Sequence, residues 1–271
     1  MKKKVVALVL LAALMVCSLT GCSKYRKVSD IQESGKLVMF TDARFAPFEY
    51  VGADSAITGA DIELGQAIAE KMGVELEIIN ADFDGLTLSV KNGQADMAIA
   101  ALSITPEREE EMDFSNTYTS ACQYIVVRED DSEINCMDDL AGKKVGAQLG
   151  TTGDIMVSKQ INDGVLTDTG AEIVQYKTLQ EGCLALVKGD LDAVVVDDLS
   201  AKNYCIVNDG LKCFEARMAD GSLEQEPYGV AVAKGNDELL KAINEVVDEW
   251  ASSGKFQEVL DYHIEQATLV E

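Results

Sequence analysis

The chain is short of the residues that most often do chemistry. It has one histidine, His263. It has no H-E-x-x-H pair, G-x-S-x-G turn, P-loop or dinucleotide fingerprint. Gly146, Gly150 and Gly153 are spaced too widely for that fingerprint, and no Lys-Ser/Thr follows them. A lone histidine near the C-terminus is expected to be a solvated helix residue, so no catalytic group is expected. Cations are scarce as well: 23 Lys and Arg stand against 47 Asp and Glu, for a net charge of −24. Such a surface repels phosphate backbones and argues against a nucleic-acid partner. No two cysteines have the C-x-x-C spacing of a thiolate zinc site, and no metal or cofactor is expected. Beyond the first residues, no apolar run approaches the ~20 residues that a membrane span needs.

What is present begins with an export signal. Lys2, Lys3 and Lys4 precede an apolar run from Val5 to Val16, which has the length and flanks of a secretory signal. The run ends in Leu19-Thr20-Gly21-Cys22, which resembles the lipobox of bacterial lipoproteins. That resemblance implies cleavage after residue 21, acylation of Cys22 and a stable lipid anchor on the outer face of the cell membrane. An ordinary cleaved signal with a cysteine nearby is the alternative. Cleavage would remove three lysines and take the charge from −24 to −27. Cys122, Cys136, Cys183, Cys205 and Cys213 would remain. Five is odd, so at least one is unpaired within the chain. Most read as small buried apolar residues, with a Cys205–Cys213 disulfide as the alternative.

The body alternates short strands with amphipathic helices. Strands are expected at 36–41, 74–79 and 97–101, with helices at 61–72 and 86–92 between them. The rhythm repeats with strands at 143–148, 171–175 and 192–196. Helices are expected from Thr152 and, through the capping box Thr178-Leu179-Gln180-Glu181, up to Val187. A late strand at 228–233 and a long helix at 237–252 follow, the latter ended by Gly254. This βαβαβ order implies mainly parallel sheets with helices on their faces. Asn92-Gly93-Gln94-Ala95-Asp96 and Lys188-Gly189-Asp190-Leu191-Asp192 each end a helix at Gly and open a buried strand at Asp. The repeat points to two α/β lobes of similar design. Ligands of open α/β sheets bind beyond the carboxyl ends of strands, which directs attention to Asp42, Ser103 and Asp197.

Thr105-Pro106-Glu107-Arg108 places Thr at an N-cap and Pro at the first helical position. Arg108 then projects near the end of strand 97–101, either to clamp a carboxylate or to pair with Glu107 or Glu111 on the surface. Gly150-Thr151-Thr152-Gly153-Asp154 opens a helix, either as an anion site or as a plain capped turn. Phe45, Pro47, Phe48 and Phe83 either wall a pocket or cap the core.

Several runs together resemble one family. Thr41-Asp42-Ala43-Arg44-Phe45-Ala46-Pro47-Phe48-Glu49-Tyr50 is similar to the opening motif of the polar amino acid ABC-transporter binding proteins, bacterial solute-binding protein family 3. Gly59-Ala60-Asp61-Ile62-Glu63-Leu64, Phe83-Asp84-Gly85-Leu86 and Leu102-Ser103-Ile104-Thr105-Pro106-Glu107-Arg108 follow in order. Asp113-Phe114-Ser115, Gly150-Thr151-Thr152 and Tyr228-Gly229-Val230 continue it, from about residue 28 to residue 264. The resemblance implies a type II periplasmic-binding-protein fold, α/β, with two lobes, two hinge crossings and a cleft between them. Residues 22–34 would be a lipidated linker, 35–120 with 228–271 lobe I, and 121–227 lobe II. The crossings would fall near 119–122 and 226–229.

The same resemblance implies the site. Arg108 clamps a ligand α-carboxylate, helped by the Thr151-Thr152 turn. Ser103, Asp197 and the Ala101 carbonyl take the α-ammonium. Phe45 and Phe83 sandwich the ligand side chain, and Asp42 and Gln148 read its polar end. The implied ligand is a free polar L-amino acid; Asp42 beside Phe45 suits a basic or amide side chain, arginine or lysine ahead of glutamine, unless Arg44 pairs with Asp42. The implied partner is the membrane permease of an ABC importer, and the implied state is a monomer. A ligand-presenting sensor and a dehydratase on the same fold are the competing readings. Ala60, the Ala100-Ala101 pair and Gly153 depart from the family's usual residues.

Overall fold

The computed structural model describes residues 25–268. The expected signal segment and the expected lipid attachment at Cys22 lie outside them. In chain order the strands are β1 Lys36–Thr41, β2 Tyr50–Val51, β3 Ile57–Thr58, β4 Glu75–Asn80, β5 Met97–Ala98, β6 Met112–Phe114 and β7 Thr119–Ala121. Then follow β8 Gln123–Arg128, β9 Lys144–Gln148, β10 Glu172–Tyr176, β11 Ala193–Asp197, β12 Leu211–Glu215, β13 Glu226–Tyr228 and β14 Ala231–Ala233.

They build two five-stranded sheets, β4-β1-β5-β14-β6 and β10-β9-β11-β8-β12. The two follow one plan. Reading across each sheet, the first two pairings are parallel and the last two antiparallel. The sheets are therefore mixed rather than mainly parallel. The antiparallel members are the strands next to the crossings, where the chain enters a sheet from the other lobe. Between the sheets, β7 and β13 form an antiparallel ribbon with Thr119 opposite Tyr228 and Ala121 opposite Glu226.

Side-chain alternation divides each lobe into two cores. Along β8, Ile125 and Val127 face one core while Val126 faces the other; along β11, Val195 opposes Val194 and Val196 in the same way. In the first sheet, Leu37, Met39 and Met97 pack under helices Ala60–Met72, Asp237–Ser253 and Lys255–Ala267, through Leu64, Ile68, Leu239, Ile243 and Leu260. Each such fully buried aliphatic contributes about 1.5–3 kcal/mol. Two glycines are demanded by these contacts. At Gly59, φ is +135° and a Cβ would lie 2.0 Å from the Phe48 carbonyl oxygen, where helix Ala60–Met72 is clipped to the Phe45–Tyr50 loop. At Gly153, a Cβ would lie 2.9 Å from the Val195 carbonyl, so only glycine lets helix Thr152–Asp163 approach β11 this closely.

Several expectations need correction. The strand expected at 97–101 stops at Ala98, because Ala101 turns into the left-handed region at φ +45°. The late strand splits into β13 and β14, since its two ends pair with different partners, β7 and then β5 and β6. His263 is not solvated: it is buried, with Nδ1 3.0 Å from the Tyr50 hydroxyl and Nε2 2.9 Å from Glu63 Oε1. The five described cysteines are free thiols; Cys122 and Cys183 are buried, and the Cys205 and Cys213 thiols hydrogen-bond each other without a covalent link.

Candidate ligand-binding site

One cavity lies between the lobes, with about 440 Å³ of unfilled space, part of it open to solvent. It brings together all ten residues expected at the site: Asp42, Phe45, Phe83, Ala101, Ser103, Arg108, Gln148, Thr151, Thr152 and Asp197. Ala100, Val195 and Val196 complete its lining.

Arg108 reaches the cavity from the six-residue helix Pro106–Glu111. Thr105 caps that helix by accepting from the Arg108 amide at 3.2 Å, and Pro106 sets its first turn. The side chain is 8% exposed. Its Nη1 donates to the Ser103 carbonyl at 2.7 Å and its Nη2 to the Gly150 carbonyl of the other lobe at 3.0 Å. Its Cζ stands 5.6 Å from the Phe83 ring centroid, within cation–π range. Glu111 pairs instead with Lys91. Among the described residues no carboxylate pairs with this guanidinium. Burial therefore pulls its pKa down, opposed first by the charges of Asp197 and Glu226 and then by those of Tyr228 and Glu107.

Asp197 closes β11 and is buried. Gln123 donates to its Oδ1 and the Tyr228 hydroxyl to its Oδ2. Burial, and then the charge of Glu226, pushes its pKa up to about 7. Glu226 Oε2 accepts from Ser103 Oγ at 3.0 Å and from Gln123 at 3.3 Å. Ser103 Oγ also lies 3.3 Å from Thr152 Oγ1. A second carboxylate thus flanks the first at the ribbon between the lobes.

Behind Ala101 lies a pair of buried acids. Asp61 Oδ2 accepts from the Ala101 amide at 2.7 Å and from the Tyr118 hydroxyl at 2.9 Å. These bonds hold the left-handed turn that follows β5. The Glu49 carboxyl lies beside that of Asp61, and Glu49 Oε2 and Asp61 Oδ1 are both buried without a hydrogen-bond donor among the described residues. Burial raises Asp61 to about 6 and, with the Asp61 charge next, holds Glu49 well above its ordinary value.

The turn at 150–154 is both capped and largely used up. Thr151 Oγ1 accepts from the Asp154 amide at 3.3 Å, and Asp154 Oδ2 accepts from the Gly150 amide at 2.9 Å. The Thr151 amide bonds the Gln148 carbonyl at 3.3 Å. The anion site expected from several free amides is thereby narrowed to the Thr152 and Gly153 amides at the helix start.

At the far end, Asp42 Oδ2 accepts from Gln148 Nε2 at 2.9 Å across the cleft. Phe45 stacks on Phe48 with centroids 6.2 Å apart, and Phe48 meets Tyr228 edge-on at 5.5 Å. The aromatic wall and the ribbon are thus one packed unit. Ser200 Oγ donates to the Ala46 carbonyl at 3.1 Å, a further contact from lobe to lobe.

Sequence reasoning did not single out Gln123, Glu226 or Tyr228 as neighbours of Asp197, nor Glu49 and Asp61 behind Ala101. Their only local signal is an acid or amide inside an apolar stretch, such as Asp61 ahead of Ile62 and Leu64.

Residues 37–266 match the family model for bacterial extracellular solute-binding proteins, family 3. The L-arginine-binding protein of Pseudomonas aeruginosa is 32% identical over 223 residues, 81% of this chain and 84% of that protein. The amino acid ABC transporter substrate-binding protein AbpA of Streptococcus pneumoniae, solved bound to L-arginine, superposes with a TM-score of 0.81 at 32% identity. That match covers 89% of this chain and 99% of the solved one. An ancestral arginine-binding protein solved bound to glutamine gives 0.76 at 36% identity, over 84% of this chain and 97% of that one. With its two-sheet fold and the family model spanning nearly all of the described residues, the chain belongs to the bacterial extracellular solute-binding proteins, family 3.

Proposed function

We propose that the protein binds a free polar L-amino acid between its lobes and delivers it to the permease of an ABC importer, held at the outer face of the membrane by acylated Cys22. One observation carries the reading. Arg108 is buried without a carboxylate partner and shares its cavity with buried Asp197. A zwitterion supplies what each pole lacks. Its carboxylate accepts from the guanidinium and the Thr152 amide, while its ammonium donates to Asp197, Ser103 Oγ and the Ala101 carbonyl. Phe45 and Phe83 enclose the side chain, whose polar end meets Asp42 and Gln148. Arginine, lysine and glutamine are the leading ligands. The arginine- and glutamine-bound relatives support that choice.

Binding favours the closed arrangement because the guest contacts both lobes at once, and a ligand shifts an equilibrium only through such differential contacts. The test is a thermal-shift screen of the twenty amino acids followed by calorimetry. A ligand at a hundred times its Kd should add about 2.7 kcal/mol of stability. Arg108→Ala should weaken binding by about 3 kcal/mol or more, over a hundredfold in Kd. Unchanged affinity in that variant would refute the site.

A further inference from the structure

The distal end of the cleft is already electrically satisfied. Asp42 is 2% exposed, and both of its carboxylate oxygens are engaged. Oδ1 accepts from Arg44 Nε at 2.5 Å and Oδ2 from Gln148 Nε2 at 2.9 Å. Arg44 is held over Asp42 by a tight turn in which its amide bonds the Asp42 carbonyl at 2.6 Å. Its Nη2 extends to Asp82 at 2.8 Å, and Asp82 is reached from the other lobe by Lys177 at 3.3 Å. Two carboxylates and two cations form this chain, so its net charge is zero. The Asp82 carboxylate is held below its ordinary range by Arg44 and then by Lys177.

We infer that Arg44 is a specificity-determining residue: by occupying Asp42 it converts an acidic subsite into a neutral hydrogen-bonding one that favours an uncharged polar side chain over a cationic one. The inference rests on the amino acid reading of the cleft and deepens it. A guanidinium or ammonium brought to Asp42 must expel Arg44 or share one carboxylate with it, and like charges at contact distance repel. An uncharged amide meets no such penalty. Gln148 Nε2 spends its two hydrogens on Asp42 and on the Lys177 carbonyl at 3.1 Å, which leaves its side-chain carbonyl oxygen as an acceptor for a guest N–H. Arg44 is 35% exposed and its second anchor, Asp82, more so. It can therefore yield to a cation, at a cost in affinity, rather than exclude it.

The test is calorimetry of the mature chain with L-arginine and L-glutamine on wild type, Arg44→Ala and Arg44→Lys, with a melting curve for each. In Arg44→Ala the arginine-to-glutamine affinity ratio should rise about tenfold, as expected when a charge-assisted bond stops competing. Arg44→Lys should return the ratio towards wild type. A ratio unchanged in Arg44→Ala overturns the inference while leaving the amino acid reading intact. So does loss of both ligands from a variant that still melts cooperatively, because it would make Arg44 a structural residue. If neither wild type nor Arg44→Ala binds any amino acid, the reading of the cleft itself fails and the inference falls with it.

Discussion

The two lobes are built to one sheet plan but are not equivalent as walls of the cleft. The first sheet's lobe presents Phe45, Phe83 and Arg108, and backs them with the Phe48–Tyr228 contact and the Glu49–Asp61 pair. The second presents Gln148, the Thr151–Thr152 turn and Asp197. Its anionic group does not stand on that lobe alone. Asp197 is bonded by Tyr228, which is buried in the first lobe's core, and lies beside Glu226 of the ribbon. The cation is thus a single group on one lobe, whereas the negative pole is spread over two acids at the crossing. A pole with one charge fails when that charge is removed, and a pole with two is buffered.

That asymmetry gives the largest predicted contrast. Arg108→Ala should cost over a hundredfold in amino acid affinity, as stated above. Asp197→Asn keeps an acceptor for a ligand ammonium and leaves Glu226 in place. Its cost should be nearer tenfold, about that of one charged hydrogen bond. Calorimetry of both variants against the same ligand decides it. Equal losses would mean that Glu226 contributes nothing to the negative pole.

How much of this was legible in the sequence differs in the same lopsided way. Groups that meet the cleft from a local motif could be pointed to, Arg108 from the Thr105-Pro106 cap, Thr152 from its glycine turn and Asp197 from its place after a four-residue apolar run, but the motifs left a surface ion pair and a plain capped turn open, and the family resemblance supplied the roles. The groups that support them could not. Glu226 meets Asp197 from 29 positions away along the chain, and Asp61 meets Ala101 from 40. Neither spacing carries a periodic signal. Helix Asp198–Val207 begins directly where β11 ends, with no turn residues between them to announce it. His263 looked solvated because its partners, Tyr50 and Glu63, lie some 200 residues earlier and reach it only after the C-terminal helix folds back.

Acid titration should separate the poles next. Asp197 at about 7 and Asp61 at about 6 lie above the ordinary carboxylate value of 3.8, and Glu49 is raised as well. The folded chain therefore holds protons that the unfolded chain gives up. The share of unliganded stability carried by Asp61 and Asp197 should fall as pH rises from about 4 through about 7. Ligand binding should run the other way, because an ammonium favours ionised Asp197. The thermal shift given by a saturating ligand should be larger at pH 8 than at pH 5, and calorimetry near pH 7 should detect proton release. A shift independent of pH would place the ammonium away from Asp197.

The smallest contrast concerns the two helix caps. Thr105 and Thr151 each accept from a first-turn amide, one in each lobe. Thr151→Ala removes the only side-chain cap of a 12-residue helix, together with the bond from its hydroxyl to the Gln148 carbonyl at 2.8 Å. It should cost about 1 kcal/mol, a lowering of roughly 2–4 °C in Tm for a chain of this size. Thr105→Ala should cost less. The helix it caps is only six residues long, and Pro106 fixes the backbone of its first turn whether or not the hydroxyl is present. Affinity should hardly move in Thr105→Ala, since the Arg108 guanidinium is aimed by the Ser103 and Gly150 carbonyls and not by its own amide. If Thr105→Ala instead proved the more damaging for binding, the guanidinium would have to be aimed through its helix, and the first lobe's pole would be less rigid than its hydrogen bonds imply.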